Sequence, residues 1–287
     1  MKPYTFNYHT PETVAEACAT MAGLGENSAF LAGGTDLVVK LKKGLVRFTD
    51  LVSIAKIDEL KKIERQEDGW HFGAMAPLSS LEFHAQIKEE LPVLSYAASE
   101  IGSSTLRNLA TIGGNVCNAA PSADMIPALI ALDAKAIISN GSSVREKLLA
   151  EFFVGKGQVD VKRGEILTKI IVPHPAADVS VTYLFQTHRR AMDVATVGVA
   201  GALKVDSDGI CKDAWIVLGA VSPVIQRSKP AEELLIGRKV DDLPLAEICE
   251  AAKNSVKPIT DVRATKEYRS EMIAVLTERV IKKLINQ

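Results

Sequence analysis

Two glycine pairs, Gly33-Gly34 and Gly113-Gly114, are the residues of this chain best suited to chemistry. Each follows an apolar, strand-like run. Thr35-Asp36 comes after the first pair; Asn115 and then Asp124 come after the second. Glycine lets a backbone approach a bulky anion closely, and successive N–H groups form an anion-binding nest. Two nests suit a pyrophosphate, which carries two charged groups. A carboxylate repels phosphate, so neither Asp36 nor Asp124 is expected to touch it. Asp36 reads as a helix cap. Asp124 either caps its helix or accepts hydrogen bonds from ligand hydroxyls, and one side chain can do both in turn. His188-Arg189-Arg190 reads as a solvated strand end, with a catalytic triplet as the alternative.

Other chemistries are excluded by what the sequence lacks. There is no G-x-x-x-x-G-K-[ST], and Gly23-Leu24-Gly25 has no third glycine and follows no strand, so neither a P-loop nor a Rossmann fingerprint is present. G-x-S-x-G and H-E-x-x-H are absent. His9, His71, His84 and His174 have no partner at metal or triad spacing. The four cysteines, Cys18, Cys117, Cys211 and Cys249, form no C-x-x-C pair and read as buried reduced thiols, with Cys117 closest to a glycine pair. Any reaction must therefore come from a bound cofactor.

The elements that would position these residues follow from punctuation and periodicity. Residues 6–8 form a short strand, and Thr10 caps a helix with Pro11 at its first position, Val14, Ala17, Cys18 and Met21 buried, and Gly23 and Gly25 at its end. A strand over 29–32, a helix over 37–41 closed by Gly44, and a strand over 50–54 complete a β-α-β-α-β unit. A strand over 70–75 comes next. Ser79 or Ser80 caps a helix carrying Leu81, Phe83, His84 and Ile87, and 92–101 is helical up to the break at 102–104. Between residues 109 and 138 the second glycine pair is followed by a helix. Pro127 must lie in its first turn, which makes Asp124 or a neighbour the N-cap. Strands cover 134–138 and 165–172, with 148–157 irregular between them.

Residues 173–178, with two prolines, mark a domain boundary. Beyond it three strands cover 181–186, 195–205 and 214–221, with a hairpin turn at 206–209. Helices follow over 230–235, 244–256 and 265–285. The last places Tyr268, Met272, Val275, Leu276, Val280 and Leu284 on one face.

The chain has 287 residues, 47% of them hydrophobic and 24% charged, with a net charge of −1. That suits about two soluble domains of roughly 100–200 residues each. Lys and Arg are spread evenly, so nothing resembles a nucleic-acid stripe or a polybasic membrane patch, and an anion must be held by local backbone groups. No apolar run approaches the ~20 residues of a membrane span, and the first residues lack a signal-peptide core, which points to a cytoplasmic protein.

Phe30-Leu31-Ala32-Gly33-Gly34-Thr35-Asp36-Leu37 and Thr111-Ile112-Gly113-Gly114-Asn115 resemble the two FAD-pyrophosphate loops of the FAD-binding subunit of molybdenum hydroxylases. That family includes xanthine dehydrogenases, aerobic carbon monoxide dehydrogenases and nicotinate-type dehydrogenases. Residues 51–60, 118–127, 190–197 and 261–269 are similar to further family segments in the same order, so the likeness runs nearly the full length.

The resemblance implies an α+β chain. A two-subdomain FAD-binding domain of the vanillyl-alcohol-oxidase/PCMH type would cover residues 1–175, divided near residue 55. A C-terminal domain of the carbon monoxide dehydrogenase flavoprotein type would cover 179–287, with a three-stranded antiparallel sheet and helices. It implies FAD here, and partners too: a large molybdopterin subunit and a small subunit with two [2Fe–2S] clusters, assembled as a dimer of heterotrimers. Electrons would pass through the clusters to FAD and on to NAD⁺ or another acceptor. Carried over, the pyrophosphate contacts fall on 30–37 and 111–115, with further FAD contacts at Ile101, Asp124, Ile166 and Phe185. Several relatives carry lysine where Phe185 stands. Carbon monoxide dehydrogenase-type subunits place tyrosine where Val194 stands, which favours the xanthine dehydrogenase branch. The alternatives are a stand-alone FAD oxidoreductase of the same fold and a flavin-free assembly subunit; the intact glycine pairs speak against the second.

Overall fold

A computed structural model describes residues 5–189 and 191–286. Its first unit is β1 (Asn7–His9), α1 (Val14–Gly23), β2 (Ser28–Leu31), α2 (Leu37–Lys42) and β3 (Asp50–Ser53), a small parallel sheet in the order β1-β3-β2. Asp50 ties its strands together: its carboxylate accepts from Asn7 and His9, each at 2.9 Å, and from Thr49 at 2.8 Å. Those bonds, His9 first, hold its pKa down at about 2. The cap of α1 is Thr13, not Thr10. Its hydroxyl accepts from the Glu16 N–H at 3.2 Å, while residues 10 and 11 lie outside the helix.

The second unit runs β4 (Ile63–Gln66), β5 (Gly69–Gly73), α3 (Leu78–Phe83), α4 (Ala85–Glu90), α5 (Pro92–Ser99), α6 (Ser104–Arg107), α7 (Ile112–Asn118), α8 (Met125–Ala131), β6 (Lys135–Ser139), β7 (Val144–Leu148), β8 (Phe153–Gly155), β9 (Gln158–Val159) and β10 (Ile166–Val172). Five strands form an antiparallel sheet, β4-β5-β10-β6-β7. Its two edges are IERQ and VREKL, largely solvent-facing and charged, which is how edges avoid mispairing. That composition hides β4 and β7 from apolar alternation, and the stretch 148–157, expected to be irregular, holds the end of β7, a single 3-10 turn over Leu149–Glu151 and the short strand β8. Ser79 and Ser80 lie inside α3, which starts after Pro77, and the chain breaks at His84 before resuming as α4.

Residues 173–178 lead into β11 (Val179–Gln186), β12 (Val197–Val205), β13 (Cys211–Gly219), β14 (Gln226–Arg227), α9 (Lys229–Leu235), α10 (Leu245–Asn254) and α11 (Lys266–Ile285). Three long antiparallel strands form the sheet, and the two-residue β14 adds a fourth. The face of α11 is rotated from the expected one. Tyr268 is exposed, and Ile273, Leu276, Val280, Ile281 and Leu284 are buried. Buried Arg269 sets the rotation, donating to the carbonyls of Thr196 at 2.6 Å and Ala220 at 2.7 Å and to Asp261 at 2.7 Å.

The largest core lies around α8, all seven residues of which are buried. Helices α3, α5 and α7 and the five-stranded sheet supply much of that core, and Tyr183, Ala200, Ala202 and Val217 of the C-terminal sheet also join it. Each fully buried Leu or Ile contributes about 2 kcal/mol. Strand β12 alternates between two cores: Ala200 and Ala202 face α8, while Val197, Val199 and Leu203 join the core containing α10 and α11. Among the described residues no helix is long and apolar enough to cross a membrane.

Candidate functional site

The two glycine pairs meet on one cavity of about 610 Å³, within the range of small-molecule and cofactor sites. Phe30, Ala32, Gly33, Gly34, Thr35, Asp36 and Leu37 line it from the first unit. Ile101, Thr111, Gly113, Gly114, Asn115, Asp124 and Ile166 line it from the second, and Met192, Asp193 and Val194 from the C-terminal unit. Leu31, Ile112 and Phe185 are not among the lining residues. Ile112 is fully buried in the core, and Phe185 stacks on Tyr183, 5.4 Å between ring centres, with Tyr96 at 6.1 Å.

The first pair makes an open nest. It joins β2 to α2, and Gly34 takes φ +72°, which favours glycine. Gly33 is required for a different reason: a Cβ there would fall 1.7 Å from the Leu109 carbonyl oxygen. Between Gly33 and Leu37 five consecutive N–H groups have no acceptor among the described residues. Asp36 occupies the N-cap position of α2 but makes no side-chain cap bond, contrary to the expected cap.

The second pair is a helix start, not a loop. Thr111 caps α7, its hydroxyl accepting from the Gly114 N–H at 3.0 Å. The N–H groups of Ile112, Gly113 and Asn115 donate to the carbonyls of Ala76 (3.0 Å), Ala74 (2.9 Å) and Thr111 (2.9 Å). Four donors that an anion nest at residues 112–115 would offer are thus already used. Gly113 packs on strand-end backbone, where a Cβ would meet Ala74 at 2.6 Å. Gly114 faces the cavity, and a Cβ there would lie 3.9 Å from the Ala32 Cβ. The polar offering on this side is the Asn115 side chain, whose buried Oδ1 has no hydrogen-bond partner. An unpaired buried acceptor costs about 1–3 kcal/mol unless a ligand donates to it.

Asp124 stands at the start of α8, as Pro127 requires, yet its side chain caps nothing. Its Oδ1 instead accepts from the Tyr183 hydroxyl at 2.8 Å. Burial pushes its carboxyl up to about 6; Tyr183's hydrogen bond opposes that rise and the charge of Glu100 adds to it.

Several residues of the site escaped the sequence reading. Lys40 is the one cation among the described lining residues, held by Asn118 Oδ1 at 2.6 Å. It lies one turn beyond Asp36, so a helical projection from the first glycine pair would have found it. Buried Arg107 pairs with Glu82 at 2.6 and 2.9 Å and donates to the carbonyls of Ile101 and Gly102, each at 3.2 Å, which fixes that wall. Cys117 also lines the cavity, and burial holds its thiol neutral, with a pKa of about 12.

His188 and Arg189 belong to a turn organised by Asp193. Its carboxylate accepts from the N–H groups of His188, Arg189 and Val194, each at 2.9 Å, and those bonds, Val194's first, hold it at about 2. His188 Nε2 bonds the Arg263 carbonyl at 2.7 Å. The pair is structural, and Arg190 lies outside the described residues.

The donor set fits a dinucleotide: free N–H groups and one lysine for phosphates, an orphaned amide oxygen and a carboxylate for hydroxyls and amino groups, and apolar walls for rings. Residues 4–175 match the family model for the FAD binding domain in molybdopterin dehydrogenase, and residues 182–284 match that for the CO dehydrogenase flavoprotein C-terminal domain. The chain is 31% identical to the glyceraldehyde dehydrogenase medium chain of Sulfolobus acidocaldarius, covering 99% of this chain and 100% of that one. It is also 31% identical to the xanthine dehydrogenase FAD-binding subunit of Escherichia coli O157:H7, over 97% and 96%. In structure it is similar to a carbon monoxide dehydrogenase chain from Hydrogenophaga pseudoflava, with a TM-score of 0.93, 28% identity, and coverage of 99% and 98%. With two family models matched in order over residues 4–175 and 182–284, the chain is an oxidoreductase subunit that belongs to the FAD-binding medium subunits of the molybdenum hydroxylase family.

Proposed function

We propose that this chain carries electrons from the [2Fe–2S] clusters of a small partner subunit, fed by a large molybdopterin subunit, to NAD⁺ or another acceptor. The observation that carries this reading is the open nest at Gly33–Leu37 facing an orphaned Asn115 on one dinucleotide-sized cavity. FAD, when bound, supplies the redox chemistry.

The chain's own residues bind, orient and enclose. The N–H groups of residues 33–37 hold pyrophosphate, with Lys40 adding charge. Asn115 accepts from a ligand donor, Asp124 accepts from a ligand hydroxyl, and Ile101, Val159, Val161 and Ile166 exclude water from a ring. Phe30, Thr35, Leu37, Thr111, Gly113 and Gly114 complete the contact surface. In this reading residues 1–175 form the FAD-binding domain and 179–287 close the site with Met192, Asp193 and Val194. The whole chain docks as the medium member of a dimer of heterotrimers.

Purified chain incubated with FAD is expected to retain flavin absorbance through gel filtration; a colourless protein would sink the reading. Co-expression with candidate partner chains is expected to yield a brown complex that reduces an added acceptor on substrate. A yellow protein that turns over alone would instead make it a stand-alone oxidoreductase.

A further inference from the structure

The acid at the start of α8 is held from the other domain. Tyr183 stands on β11 and its hydroxyl donates to Asp124 Oδ1 at 2.8 Å. The ring is 2% exposed. Gly198 on β12 makes room for it, since a Cβ there would lie 2.7 Å from the hydroxyl oxygen. Phe185 and, beyond it, Tyr96 stack on the same side. The phenol is therefore fixed in place. No other side chain among the described residues bonds the carboxylate. A phenol has one proton to donate, so one carboxylate oxygen remains able to accept from a ligand in the cavity that Asp124 lines.

We propose that Tyr183 is a positioning residue that keeps Asp124 an ionised acceptor for a hydroxyl of the bound cofactor, and so makes cofactor retention depend on pH. The proposal rests on the FAD reading of the cavity. A hydroxyl donating to a carboxylate makes a charge-assisted bond, stronger than one to the neutral acid.

Helix α5 brings Tyr96, and Glu100 follows it; both act electrostatically on the pair of Asp124 and Tyr183. Helix α7 brings the neutral Cys117. Strand β11 brings Tyr183, whose own pKa is raised by burial and then by the Asp124 charge. Strands β12 and β13 bring Ala200, Ala202 and Val217 to the shared core, with Lys204 and Asp213 further along them. Across the cavity stand Asp36, Lys40, Glu165 and Asp193. Of these groups Tyr183 alone donates to the carboxylate. Burial raises the Asp124 carboxyl to about 6. A ligand hydroxyl favours the ionised form, so affinity must rise as pH rises through that value.

FAD affinity of the full chain, measured by flavin fluorescence from about pH 5 to about pH 8, tests this. Wild type is expected to bind more tightly above about pH 6, the value set by burial. Tyr183→Phe is expected to move the midpoint upward by about one pH unit, the scale of one lost hydrogen bond to a charged group. Gly198→Ala, which displaces the hydroxyl without removing it, should move it the same way. Asp124→Asn should give a flat profile. A midpoint unmoved in both Tyr183→Phe and Gly198→Ala would overturn the role of the tyrosine, and a pH-dependent Asp124→Asn would place the titration elsewhere and overturn it too. A wild-type chain that binds no FAD at any pH would fail differently, by removing the FAD reading itself.

Discussion

Gly33-Gly34 and Gly113-Gly114 share a dipeptide, an apolar run before it and a cavity in front of it, yet their backbones are used in opposite ways. At the first, the chain is coil, and five N–H groups point to no protein acceptor among the described residues. At the second, the chain is already helical, and the N–H groups of residues 112–115 are bonded within the protein. One pair offers donors; the other offers a smooth surface and the side chain of Asn115. Glycine in a ligand site therefore has at least three separate meanings here: a left-handed φ at Gly34, a backbone crossing at Gly33 and Gly113, and clearance at Gly114. Only the geometry tells them apart.

Substitutions can break that contrast. Gly33→Ala has the largest expected effect, because its Cβ would stand 1.7 Å from backbone that cannot swing away. It should cost about 3 kcal/mol or more in urea unfolding and take FAD binding with it. Gly114→Val should leave a folded chain at a cost of about 1 kcal/mol, since its Cβ would stand 2.8 Å from the Thr111 hydroxyl and disturb that one helix cap, with the Ala32 Cβ next at 3.9 Å. Its FAD affinity should fall about 100-fold, or about 2.7 kcal/mol by titration. Full flavin occupancy in this variant would mean that Gly114 does not face the ligand.

The acids that follow the two pairs differ as well. Asp36 is exposed, whereas Asp124 is buried with its folded pKa raised to about 6. Asp124 thus binds its proton more tightly folded than unfolded. Its ionisation burdens the apo fold increasingly as pH rises from the unfolded value, about 4, through about 6. Asp124→Asn should therefore stabilise the apo chain by about 2–3 kcal/mol at about pH 8 and by nothing below about pH 4; equal melting shifts at both would refute it. The smallest effect concerns caps. Thr111→Val should cost about 1 kcal/mol of stability, while Asp36→Ala, with no cap bond to lose, should stay within about 0.5 kcal/mol. Chemical denaturation distinguishes the two.

Much of this was legible from residue order. The β-α-β-α-β opening, the placement of Pro127 in the first turn of α8 and the long C-terminal strands all follow from local punctuation, which acts over a few residues. What could not be read depends on distant partners. Thr111 binds its own helix, but the donors of residues 112 and 113 go to carbonyls nearly forty residues earlier. The face of α11 is set by Arg269 reaching Thr196 and Ala220. Asp124 is turned from a cap into an acceptor by a tyrosine 59 residues away. Charged edge strands such as β4 and β7 carry no alternation to detect. Lys40 alone was within reach of sequence logic, one turn past a residue already singled out.

The sharing of α8 between the domains bears on how the chain is made. A nascent polypeptide that has emerged only as far as residue 175 holds a complete five-stranded sheet but nothing to cover the side of α8 that Ala200, Ala202 and Val217 later occupy. Translation adds about 5–20 residues per second, so that apolar side stays bare for several seconds before β12 and β13 exist. The cavity, lined in part by Met192, Asp193 and Val194, is unfinished over the same interval. Cofactor loading is thereby placed after residue 194 has emerged, and the young chain until then is a natural client for a chaperone that shields apolar helix.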